Sequence, residues 1–253
     1  MLHISLYFSA LRNRFYFATF GSYLTRTFVT ALYYIGTAFN VILPGGIGGD
    51  GYRVYLLWKL EKFPKLTSLL IILYERINGL YVLIVLALFL LPLSSFISRI
   101  PYGLTINLAL LILVTPCYFI GTKYIFNDKI PTMLKAANYS FIVQLFQIIF
   151  AFCLTRAILP NPQFIDYINF AVLFSVASMV AIIPISIGGA GLRELTFLYG
   201  LGFLGANAES GVAFAMMSFV LYVLTALTGV PLFFNIKNIK RKDHGRSTNP
   251  KNK

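Results

Sequence analysis

Apolar runs alternate with short basic loops along the chain, and the length of each run limits what it can be. Residues 66–93, 104–122, 140–159 and 212–234 are each long enough, at 1.5 Å per helical residue, to cross a hydrocarbon layer of about 30 Å. Residues 27–42 are as apolar but too short to cross, and they stop at a Pro/Gly cluster. Residues 168–187 run into a second such cluster, and 195–204 form a short apolar continuation. Pro116 is expected to interrupt its helix late. The pattern predicts an all-α polytopic membrane protein with about four full spans and two broken, re-entrant helices. Residues 1–26, which interleave aromatics with Arg12, Arg14 and Arg26, are expected to form a basic aromatic interfacial segment. Residues 27–236 form a single transmembrane domain, and the basic, Asn-rich tail 237–253 is expected to be disordered.

The two breaks are copies of one motif. Residues 43–53 read LPGGIGGDGYR, and a shift of 140 positions lays Pro44, Ile47, Gly48, Gly49, Gly51 and Arg53 onto Pro184, Ile187, Gly188, Gly189, Gly191 and Arg193. Irregular backbone at membrane depth survives only where protein or a water-filled cavity satisfies its amides. Paired broken segments in matching halves of a chain point to a transport site. Three full spans separate the copies, and an odd number of crossings makes the repeats inverted. The cations agree with that layout. Of 21 Lys and Arg, 17 fall in 1–26, 53–65, 123–135 and the tail, and only Arg99 and Arg156 fall in loops of the opposite side. The positive-inside bias then puts the C-terminal tail in the cytoplasm and the protein in the cell membrane.

Composition narrows the chemistry. Hydrophobic residues make up 58% of the chain and charged ones 11%, so the formal charge of +13 reads as topology and attraction to anionic lipid, with no nucleic-acid partner. Carboxylates at membrane depth are costly unless paired, which singles out Asp50, Glu75 and Glu194 among eight acidic residues. Arg53 is the natural partner of Asp50, Arg76 or Arg193 of Glu75, and Arg193 of Glu194. Glu75 and Arg76 are thus a candidate intramembrane charge pair. The amides of Gly45, Gly46, Gly48, Gly49, Gly188 and Gly189 are unshielded by side chains, so with Arg53 and Arg193 they form a candidate phosphate-binding loop pair. The competing reading is that these glycines only permit a tight turn and close packing. Cys117 and Cys153 lie in apolar runs and read as packing residues. Neither they nor His3 and His244 make a ligand spacing, so no metal is expected. The absence of a nucleotide-binding loop removes the motif that would power a pump, and no cofactor is expected.

LPGGIGGDGYR, the later YERINGL with Glu75, Arg76 and Gly79, and PISIGGAGLRE together resemble the transmembrane region of the lysylphosphatidylglycerol synthase and flippase-like family. The resemblance runs from about Arg14 to about Lys237. It implies a lipid-translocating domain that handles an anionic or aminoacylated phospholipid or a related polyprenyl-phosphate lipid. If the two broken-helix loops meet near the midplane, Gly45, Gly46, Gly48, Gly49, Asp50, Arg53, Gly188, Gly189, Arg193 and Glu194 are the residues expected to meet the head group. Compared with the family, the chain is expected to be N-terminally short and to lack the soluble aminoacyl-transferase domain, which argues against synthase activity. A separate synthase, or a partner supplying N-terminal helices, is then expected. Two rival readings stay open: an integral-membrane transferase with Asp50 or Glu75 as general base, and a non-transporting subunit of a lipid-modifying system.

Overall fold

The computed structural model describes residues 1–43, 47–126, 130–183, 186 and 188–247. Every regular element among them is helical: α1 (Leu2–Thr19), α2 (Arg26–Ile42), α3 (Gly48–Glu61), α4 (Lys65–Leu90), α5 (Gly103–Phe126), α6 (Ile130–Ile158), α7 (Phe164–Val180), α8 (Leu192–Leu204), α9 (Ala208–Leu227) and α10 (Gly229–Ser247), with two 3₁₀ turns between α4 and α5. Local chemistry fixes several ends. Thr25 accepts the Phe28 amide at the start of α2, Gln163 and Asp166 cap α7 reciprocally, and the Asn207 side chain caps α9. Four stretches are long and apolar enough to cross a membrane: Lys65–Leu93, Gly103–Tyr124, Leu134–Ile158 and Ala208–Arg241. The chain is an all-α polytopic membrane protein.

The two motif regions fold as helix-loop-helix hairpins, α2 with α3 and α7 with α8, whose members pack on each other. Contacts at their open ends show that they enter from opposite sides. The open end of the first lies with the α1 terminus and the start of α4: Phe17 meets Phe63, and Glu61 pairs with Lys240 of α10 at 3.3 Å. The open end of the second lies with the far end of α4: Arg99 donates to the Leu204 carbonyl, and Asn169 accepts the Ser95 amide at 2.8 Å. The tips come together, since a Cβ placed on Gly188 would lie 3.9 Å from Val41 Cγ2. Two apolar clusters flank this meeting point. One is built on Tyr16, Phe28, Leu32, Ile35 and Tyr74, the other on Phe170, Phe174, Phe197 and Phe214. The 140-residue shift that aligns the motifs also lays α2 on α7, α3 on α8 and α4 on α9, so the repeat is one of helices and not only of glycines.

Four sequence expectations need correction. The first segment is not an interfacial helix: α1 packs mainly on α6 and α2, and Arg12, Asn13, Tyr16 and Phe17 are at most 5% exposed. A surface helix would hold Arg12 toward water, whereas here its polar edge turns inward to buried partners. The tail expected to be disordered is helical as far as Ser247, because α10 begins at Gly229 and its first half packs along α2. Pro116 lies inside a continuous α5. Cys117 and Cys153 are exposed on the apolar outer surface of the bundle and are not packing residues.

Candidate functional site

Charges from α1, α3 and α4 converge near mid-membrane. Glu75 lies ten residues into the apolar Lys65–Leu93 stretch, roughly 15 Å along the helix and thus about halfway through a hydrocarbon core. It is 6% exposed. Its Oε1 accepts from Arg12 Nη2 at 3.3 Å, and its Oε2 accepts from Asn13 Nδ2 at 2.6 Å and from Arg53 Nη2 at 2.9 Å. Asp50 Oδ1 accepts from Arg53 Nη1 at 3.4 Å, and Oδ2 accepts from both Nε and Nη2 of Arg76. All four carboxylate oxygens are therefore engaged by donors. The network extends through Arg12 Nη1 to Ser140 Oγ at 2.6 Å, from Ser140 to Asn78, and from Asn78 Nδ2 to the Tyr118 hydroxyl at 2.7 Å. The Tyr33 ring lies under the Arg53 guanidinium, 4.9 Å from its centroid.

The expected Glu75–Arg76 pair does not form. Consecutive helical residues point about 100° apart, so Arg76 turns to Asp50 on α3 while Glu75 faces α1 and Arg53. Arg12 and Asn13, which sequence reasoning missed, supply the remaining contacts. A signal for Arg12 was present: Ser5, Ser9 and Arg12 recur at helical spacing and make a polar stripe on an otherwise aromatic helix. All three line the cavity described next.

The cavity, of about 310 Å³, lies between the hairpin tips. Arg12, Asp50, Arg53, Glu75, Arg76 and Arg193 are its charged lining, joined by polar groups such as Asn40, Gln144, Gln147 and Ser178. Four arginines against two carboxylates give this wall a formal charge of +2. Arg193 differs from the other three. Among the described residues it forms no ion pair, and its guanidinium sits 5.7 Å from the centroid of the Tyr222 ring; its Nε, like those of Arg12 and Arg53, has no hydrogen-bond acceptor.

The glycines divide in the same way. In the first motif the backbone winds directly into α3, and the Gly49 amide donates to Asn40 Oδ1 at 2.9 Å while the Asp50 and Gly51 amides donate to the Ile47 carbonyl. These amides are committed within the protein, which removes the expected amide cradle from Gly49 onward. Gly48 opens α3, and Gly45 and Gly46 lie outside the described residues. In the second motif Gly188, Gly189 and Gly191 hold positive φ of 60°, 88° and 82°, and α8 starts only at Leu192, with no side-chain cap. Gly188 lines the cavity. Gly189 seats Arg193, since a Cβ there would lie 2.9 Å from its Nε. Glu194 lies outside the cavity lining, with Oε2 buried and unpartnered.

This arrangement belongs to a recognisable sequence class. The model of the lysylphosphatidylglycerol synthase TM region matches residues 1–126 and again 123–229. The chain belongs to this family. The two matches cover both hairpins and every element that lines the cavity, and they tie this family member to membrane lipid. No curated protein and no solved structure matches the chain.

Proposed function

We propose that this member of the lysylphosphatidylglycerol synthase TM region family moves a lipid between leaflets, passing the head group through the cavity while the acyl chains stay in the bilayer. The observation that carries the reading is a wall whose lining side chains sum to a formal charge of +2 at membrane mid-depth, where the tips of two oppositely inserted hairpins meet. A buried excess of cations is costly, and an anionic head group offsets it. Arg193, whose Nε–H has no acceptor, is the lining arginine free to meet the phosphate. Arg53 acts differently, since Asp50 and Glu75 already hold it. Because the two apolar clusters lie on either side of the cavity, rocking one against the other opens it to each leaflet in turn. The cationic face formed by the open end of the first hairpin and α10 is the cytoplasmic one, and the protein resides in the cell membrane. A transferase reading loses support from the same contacts, because every oxygen of Asp50 and Glu75, the candidate general bases, already accepts from an arginine.

Leaflet-to-leaflet movement of fluorescent phosphatidylglycerol and phosphatidic acid in proteoliposomes tests the reading. The wild-type protein accelerates movement of at least one of them, and Arg193→Gln removes the acceleration while the protein stays folded. Folded wild-type protein that moves neither of these lipids nor lysyl-phosphatidylglycerol would refute it.

A further inference from the structure

We infer that the cavity selects a lipid whose head group ends in a phosphate monoester, and that it discriminates against phosphodiester and aminoacylated head groups. The inference rests on the translocation reading above and narrows its substrate class. Its basis is charge. The four lining arginines and two lining carboxylates leave +2. A phosphate monoester carries about −1.5 to −2 near neutral pH and presents three strong acceptor oxygens. It therefore brings the wall close to neutrality, whereas a diester supplies a single negative charge and leaves a buried cation uncompensated. An aminoacylated head group of net positive charge adds to the excess.

The occupancy of the carboxylates points the same way. An ammonium group entering the cavity needs a carboxylate oxygen, and each of the four on Asp50 and Glu75 already accepts from an arginine, two of them within the Arg53 bridge. An amine there competes with guanidinium groups for oxygens already held in mid-membrane ion pairs. Glu194, the remaining acid of the second motif, is not part of the lining. Among the buried unpartnered polar atoms of the lining, donors outnumber acceptors: Arg12, Arg53 and Arg193 each keep an Nε–H with no acceptor, against the single open acceptor Gln144 Oε1. The volume of about 310 Å³ lies at the small end of ligand cavities.

Equilibrium binding tests the selectivity separately from transport. The full-length protein in nanodiscs is titrated with short-chain phosphatidic acid, phosphatidylglycerol, lysyl-phosphatidylglycerol and inorganic phosphate. Phosphatidic acid is expected to bind about tenfold or more tightly than phosphatidylglycerol, the worth of one hydrogen-bonded charge, with lysyl-phosphatidylglycerol weakest. Arg193→Gln is expected to shrink the preference to within about threefold, and Arg193→Lys to retain most of it. Lysyl-phosphatidylglycerol binding as tightly as phosphatidic acid overturns the inference. So does inorganic phosphate matching the lipid, and so does folded protein that binds none of the four. Tight phosphatidic acid binding without leaflet movement sinks the transport reading and leaves the selectivity standing. Movement of lysyl-phosphatidylglycerol with weak phosphatidic acid binding does the reverse.

Discussion

Replacing Glu75 with Gln removes one charge and almost no volume, which isolates the electrostatics of the buried cluster. Arg12, Arg53 and Arg76 are balanced there by Asp50 and Glu75, a formal +1. Glu75→Gln raises it to +2 at a site 6% exposed and leaves Arg12 with no carboxylate partner. Breaking a buried pair by removing one partner costs about 3–5 kcal/mol. At about 2–4 °C per kcal/mol for a chain of this size, the midpoint of thermal unfolding in detergent should fall by roughly 10 °C. The control is Glu75→Gln combined with Arg12→Gln, which returns the cluster to +1. If the two residues are coupled, the pair should recover about 1–3 kcal/mol relative to the sum of the single variants. A single variant within about 1 kcal/mol of wild type, with a strictly additive double variant, would refute the cluster as the element that joins α1, α3 and α4.

The same unfolding assay distinguishes the glycines of the first motif. A Cβ on Gly49 would lie 1.8 Å from the Gly36 carbonyl oxygen and 2.7 Å from the Asn40 nitrogen, both backbone, so Gly49→Ala should prise α3 from α2 at a cost of about 3 kcal/mol or more. Gly51, two residues on in the same helix, has nothing within 4 Å of its Cβ position, and Gly51→Ala should be neutral or stabilising by up to about 1 kcal/mol. On the cationic face, Lys240→Ala removes the ion pair to Glu61, which is partly exposed, and should change stability by less than about 1 kcal/mol, with the difference fading as salt is raised.

Run length and the Pro/Gly breaks were sufficient to read the four full spans, because a bilayer of fixed thickness sorts apolar segments by length, whereas the basic stretch 53–65, expected as a loop, is mostly the helix α3. The duplicated motif was sufficient to read the two hairpins and their opposed insertion. What failed was anything that depends on partners distant in the chain. Arg12 and Asn13 looked like interfacial residues because their neighbours are aromatic and basic, and only the fold brings them to Glu75, more than sixty residues away. Adjacency then misled at Glu75 and Arg76, where chain neighbours lie on different faces of one helix. At residues 237–247 composition suggested disorder, and the helical segment instead continues from packing begun at Gly229.

The asymmetry between the two copies of the motif explains why one arginine is fixed and the other is left free. The shift that lays Arg53 on Arg193 also lays Asp50 on Ala190 and Glu75 on Ala215, so the second arginine keeps its position in the motif and has neither carboxylate that holds the first. The backbone follows the same division. Gly48, Gly49 and Gly51 belong to a wound helix, and the Gly49 and Gly51 amides find acceptors, whereas Gly188, Gly189 and Gly191 sit in left-handed conformations that delay the start of α8. With carboxylates at positions 190 and 215 as well, the four cavity arginines would face four carboxylates and the wall would be neutral. The alanines at these two positions leave the wall at +2. The first copy therefore serves as a charged bracket that locks α1, α3 and α4 together, and the second supplies the open cation at the point where the hairpin tips meet.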